Sequence, residues 1–316
     1  MARYPEQHRN STLRNKIKLG LSRLESCDIC PRKCGVNRID GDLGYCGIGR
    51  LARVASYNLH FGEEDPLVGR TGSGTIFFSG CNLGCVFCQN YDISHYPENG
   101  AETSADDLAE MMLSLQEQGA CNINLVTPTH VTAQILEGLA AAAEKGLNLP
   151  LVYNCGGYES LETLELLDGV VDIYMPDIKF MAPEWSFRYC KARDYPERAK
   201  EGLKEMRRQV GDLVIGPEGT AVSGLLVRHL VMPDNIASTE EWMTFLSNEI
   251  SSDTYLNIMD QYHPCGQASD YPEIARTISP EEYRRARKSA QEKGLTRLDS
   301  RESRLVYKLF QQMLKD

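Results

Sequence analysis

Residues 75–90 read TIFFSGCNLGCVFCQN, and the fold is decided there. The first four residues are β-branched or aromatic, the composition of a buried strand, and Ser79-Gly80 ends it. Cys81, Cys85 and Cys88 follow at once, three thiols within eight residues. Downstream, strand patterns near 122–127, 149–154, 170–177, 224–231 and 254–259 alternate with helical patterns at 105–118, 131–145, 159–168, 184–210 and 239–250. Such alternation means parallel βαβ units. Counted from the strand before the cysteines, six strands fit an α/β barrel or an open parallel sheet. Periodicity alone does not separate those two.

Working outward, residues 11–25 place Leu13, Ile17, Leu21 and Leu24 at helical spacing, and 52–60 and 66–78 are β-prone. Two further helices are expected at 280–293 and 301–315. The expected division is a helix and Cys-rich segment at 1–50, an α/β core at 51–265 and a helical extension at 266–316.

The whole chain has 316 residues, 42% of them hydrophobic and 25% charged, with a formal net charge of −10. No apolar run reaches the roughly 18–20 residues that cross a bilayer. The opening MARYPEQHRN lacks the apolar stretch of a signal peptide. A cytoplasmic protein with no membrane partner is therefore expected. Lys and Arg are interleaved with acids, as in YPERAKEGLKEMRRQ, so no basic groove for nucleic acid is expected.

Eleven cysteines are many for a reducing compartment, where clustered thiols are read as metal ligands before disulfides. Seven fall in two groups. Cys27, Cys30, Cys34 and Cys46 form a closed four-thiolate shell, which suits structural zinc or an iron–sulfur cluster. A cluster would relay electrons; zinc would fold a knuckle able to dock a partner. Cys121, Cys155, Cys190 and Cys265 are scattered, as small buried hydrophobes often are.

Cys81, Cys85 and Cys88 can wrap three corners of a [4Fe–4S] cube and leave one iron open. The alternative is zinc or a ferredoxin-type site completed elsewhere, for example by Cys121 or Cys155. An open iron can chelate an amino acid's amine and carboxylate, the end of S-adenosylmethionine (SAM) that must be held. The other unusual strings, TPTH, NCGGY, MPDIKF, RHLVMP and DQYHPCG, also fall at strand ends. In parallel α/β folds that is the ligand-binding face.

The cysteine loop resembles that of the radical SAM superfamily. Motif order over roughly residues 72–265 resembles the activating enzymes of pyruvate formate-lyase, in particular their PflX-type relatives. The resemblance implies a partial (β/α)6 barrel, a cluster on Cys81, Cys85 and Cys88, and Phe87 near the adenine. It implies that Met175 and Asp177 help bind SAM and a monovalent cation, with Asn154 and Cys155 closing the cation site. Arg228 and His263 match an Arg and a His of the SAM pocket.

One departure stands out. The family's Gly-Gly-Glu, whose Glu receives the SAM amine, is replaced by Thr127-Pro128-Thr129, leaving hydroxyls or carbonyls for that contact. The implied activity is reductive SAM cleavage to a 5′-deoxyadenosyl radical, fed by a reductant such as flavodoxin or ferredoxin. A glycyl-radical protein is the favoured target, with another protein, a peptide or a small molecule as the alternative. A non-catalytic electron-transfer protein is the competing class. Cys155 and Cys265, each beside glycine at a strand end, are candidate hydrogen-atom donors.

Overall fold

The computed structural model describes residues 2–299; the helix expected at 301–315 lies outside them. The chain opens with helices α1 (Tyr4–Arg9) and α2 (Thr12–Ser22), strand β1 (Ala52–His60), a single helical turn α3 (Asp65–Val68) and strand β2 (Ser73–Phe78). After the cysteine loop come α4 (Tyr91–Ser94), β3 (Ala101–Thr103), α5 (Ala105–Glu117), β4 (Ile123–Val126), α6 (Thr132–Glu144), β5 (Leu151–Cys155), α7 (Leu161–Leu167) and β6 (Ile173–Ile178). The rest is α8 (Pro183–Cys190), α9 (Tyr195–Val210), β7 (Val214–Ile215), β8 (Ala221–Leu230), α10 (Thr239–Phe245), β9 (Tyr255–Met259) and α11 (Pro280–Glu292).

Strands β2, β4, β5, β6, β8 and β9 pair in that order, all parallel. This is the α/β partial barrel expected. β1 runs antiparallel to β2 and carries β3 on its far side, extending one edge.

The β-prone reading of 66–78 fails in its first half. Pro66 opens a helical turn, and Gly69 and Gly72 at φ +52° and +96° break the chain before β2 begins. Leu67 packs with Val152, Ile173, Met175 and Leu226, alternate residues of β5, β6 and β8. Asn122 of the β4 approach donates 2.7 Å to the Leu67 carbonyl. The apolar stretch was thus a plug for the barrel, with no hydrophobic period to show it. The region 184–210 divides into α8 and α9, because Lys191 turns left-handed at φ +53° and Pro196 restarts the helix.

One hydrophobic cluster runs from Tyr4 to Leu295. Tyr4 donates its hydroxyl to the Leu149 carbonyl, and residue 298 bridges to Leu256 of β9. The terminal segments therefore share the barrel's core.

Candidate functional site

The cysteine loop leaves β2 through Gly80, whose φ of +76° suits glycine. A Cβ there would stand 2.5 Å from the carbonyl oxygen of Cys46, so the two cysteine groups touch through their backbones. Within the loop the Leu83 amide donates 3.3 Å to Cys81 Sγ, and the Asn90 amide and Ser94 hydroxyl address Cys88. Burial nevertheless pushes the Cys81 thiol up to about 12. Cys85 is raised too, by its contact with Cys190 and by burial. Without a metal to displace the proton, these groups stay thiols.

Cys190 is a neighbour no spacing announced. Its Sγ lies 3.3 Å from Cys85 Sγ, fully buried at the end of α8. Arg32, from the N-terminal segment, binds the same region. Its guanidinium donates to the carbonyls of Asn82, Leu83, Cys190 and Lys191 at 2.8, 3.2, 2.7 and 2.6 Å. The guanidinium also lies over the Tyr45 ring, 3.8 Å from its centroid.

The strand ends bring Asn154, Asp177 and Arg228 together. Arg228 donates 2.5 Å to Asp177 and 2.8 Å to Asn154 Oδ1. From below, the turn before α3 brings Glu63 to 3.3 Å and Glu64 to 3.9 Å of the same guanidinium. Lys179 stands 3.5 Å from Asp177. Burial pushes the Asp177 carboxyl up, and Arg228 and Lys179 more than offset that, so it stays below its ordinary range. Met175 lies deeper on the same face, in the apolar barrel floor.

These pairings bear on the expected monovalent cation, which the structure does not show. The oxygens of Asn154 and Asp177 are taken by side-chain cations, and Cys155 is turned away. Adjacent residues of a strand face opposite sides, so Asn154 meets Arg228 while Cys155 sits behind the sheet, 2% exposed. Cys155 borders Glu159 there and does not line the barrel mouth.

Glu159 is the second residue that spacing missed. It is 1% exposed and accepts from Thr129 Oγ1 at 2.7 Å and the Tyr153 hydroxyl at 3.2 Å. Burial pushes its carboxyl up to about 7, with those donors and Cys155 holding it down part of the way. Thr129 therefore spends its hydroxyl on a buried acid. Thr127 remains at the mouth at φ +61°, its amide donating to the Asn154 carbonyl.

The other expected pocket residues are dispersed. The Phe87 ring is buried edge-on against Phe180, Tyr189 and Tyr262. His263 is exposed, its Nδ1 3.0 Å from the Gln261 carbonyl. Cys265 lines an open hollow together with Cys88, Gln89, Tyr91 and Tyr96. Cys27, Cys30, Cys34 and Cys46 line one small cavity beside Arg38 and Tyr45. No helix among the described residues is long and apolar enough to cross a membrane.

Residues 75–220 match the family model described as the radical SAM superfamily. Two proteins of Methanocaldococcus jannaschii are similar over most of the chain. Uncharacterized protein MJ0674 is 32% identical over 289 residues, covering 89% of this chain and 78% of its own. Uncharacterized protein MJ0808 is 25% identical over 282 residues, covering 81% and 78%. A radical SAM methyltransferase from Sphaerobacter thermophilus shares the fold, with a TM-score of 0.50 and 15% identity over 74% of this chain and 68% of that one.

Proposed function

We propose, for a chain that belongs to the radical SAM superfamily, that it cleaves SAM reductively and uses the product to abstract hydrogen from a substrate. Membership implies a [4Fe–4S] cluster and SAM. The loop fits that cluster: Cys81 and Cys88 already receive amide and hydroxyl donors and Cys85 the Cys190 thiol, which stabilise thiolates bound to iron. When bound, the cluster would supply the one electron that splits SAM into methionine and a 5′-deoxyadenosyl radical, which would take a hydrogen atom from substrate and leave as 5′-deoxyadenosine.

The observation that carries this reading is the three-cysteine loop at a strand's C-terminal end, beside the Asn154, Asp177 and Arg228 network. In our reading Cys81, Cys85 and Cys88 hold the cluster. Asp177, Asn154 and Glu63 together fix Arg228 at the mouth, as a positioned cation for the SAM carboxylate. Thr127 lends its backbone carbonyl, and Met175 forms the apolar floor. Phe87 stiffens the loop from the core and reaches adenine only at its ring edge. His263 can close over the mouth from its exposed loop.

The target is taken to be a polypeptide, with a glycyl-radical protein as the instance that the family resemblance favours. The hollow around Cys88, Gln89, Tyr91 and Tyr96 supports this, because it is open to solvent and polar. Cys265 shares that hollow, so of the two candidate hydrogen donors it is the one retained. A low-potential protein such as flavodoxin or ferredoxin would supply the electron. Anaerobic reduction with SAM tests the central claim: 5′-deoxyadenosine and methionine should form in equal amounts. A cluster that reduces without consuming SAM would return the protein to the electron-transfer class.

A further inference from the structure

We infer that Cys27, Cys30, Cys34 and Cys46 hold a second four-iron cluster, which passes electrons to the cluster at Cys81, Cys85 and Cys88. The inference rests on the superfamily reading for the receiving site, and its own evidence is separate.

Residues 27–50 contain neither helix nor strand. Loops that long without secondary structure are uncommon in a packed protein and need something to hold them. The segment's apolar support is Ile48 in the main core and one small cluster of Leu24, Cys27, Ile29 and Ala133. The turns instead bring four thiols onto one cavity, through bonds from the Cys27 amide to Val36 and from the Gly35 amide to Cys27. Metal binding is the ordinary source of folding energy for such a segment.

The cavity is dressed for an anionic guest. Arg38 is 1% exposed and lines it. Its guanidinium approaches Cys27 Sγ at 3.8 Å, and its Nη2 has no partner. The Tyr45 amide donates 3.4 Å to Cys34 Sγ. A buried cation with a spare donor, facing four thiols, offsets the net charge that four thiolates give a metal centre.

Iron–sulfur is favoured over zinc by position. The Cys46 carbonyl packs on Gly80, the residue before Cys81. The Tyr45 hydroxyl, next to Cys46, reaches the Leu83 carbonyl at 3.4 Å. A ligand of one site is thus one residue and one backbone contact from a ligand of the other, well within tunnelling range. At the far side Cys34 is exposed, so a one-electron donor can approach. The step balances simply: the donor loses one electron, the N-terminal cluster carries it, and the loop cluster gains it.

The first test needs no variant. Anaerobically reconstituted full-length protein should contain about eight irons and no zinc. Four irons with one zinc, or four irons alone, would overturn the inference. The second test replaces Cys81, Cys85 and Cys88 together by Ala. This protein should keep about four irons and a reducible paramagnetic signal that SAM does not alter. The complementary variant lacking Cys27, Cys30, Cys34 and Cys46 should keep the signal that SAM does alter, which separates failure here from failure of the superfamily reading. In the reduced wild type the two signals should broaden each other and sharpen in either variant. Two clusters with no such coupling would overturn the relay.

Discussion

The two cysteine groups meet at Gly80 and Cys46 but are supported in opposite ways. The Cys81 loop caps strand β2, whose own Ile76 and Phe78 are fully buried, so the barrel holds it whether or not metal binds. The segment with Cys27, Cys30, Cys34 and Cys46 has no element of its own and leans on the barrel through side chains. Ser160 and Thr163 both donate to the Ile29 carbonyl, at 2.9 and 2.5 Å, and Arg32 grips the loop. On the proposals above the difference teaches that chemistry and stability are separable here: one group would spend its thiols on reactivity, the other on structure and wiring.

The sharpest break in that comparison is by ligand removal. Cys81→Ala, Cys85→Ala and Cys88→Ala should each abolish 5′-deoxyadenosine formation, with melting temperature close to wild type. Cys27→Ala and Cys30→Ala should instead lower it, by roughly 10 °C, because metal binding and folding are linked there. Equal melting temperatures for both sets would erase the distinction.

Glu159 lies at the seam, one residue before Ser160. With a folded pKa of about 7 against an unfolded value near 4.3, the native state binds more protons between those limits. Stability should therefore fall as pH rises through that window and level off above it, by up to about 3 kcal/mol. Glu159→Gln should flatten this slope in urea melts at pH 5 and pH 8. An unchanged slope would show that other groups carry it.

Arg32→Ala removes four bonds from the segment, two to the loop and two to the end of α8. A loss of about 2 kcal/mol is expected, together with faster iron loss on chelator challenge. Arg32→Lys should restore less than half, since an ammonium cannot reproduce the fork. Smallest is Cys190→Ala. If Cys85 ligates iron, its sulfur can accept from the Cys190 thiol 3.3 Å away. Its loss should lower the midpoint potential by on the order of tens of millivolts, with Cys190→Ser recovering most of it in a redox titration followed by paramagnetic resonance.

Much of this was written locally. A strand pattern running into Cys81, Cys85 and Cys88 needs only neighbouring residues to be recognised, and so does the order of parallel strands. Cys27, Cys30, Cys34 and Cys46 likewise announce four thiols by spacing alone. Tertiary structure decided whatever depends on which face a residue takes and what lies across from it. Cys155 went behind the sheet because strand alternation had already sent Asn154 inward. Glu63 and Glu64 look like a surface turn in Gly62-Glu-Glu-Asp65, yet α3 inserts as a plug and aims them at Arg228. Glu159 and Cys190 gain their surroundings from partners 30 and 105 residues away. A one-dimensional pattern records what each residue can do; burial and long-range pairing, which set charge and reach, exist only once the chain has closed on itself.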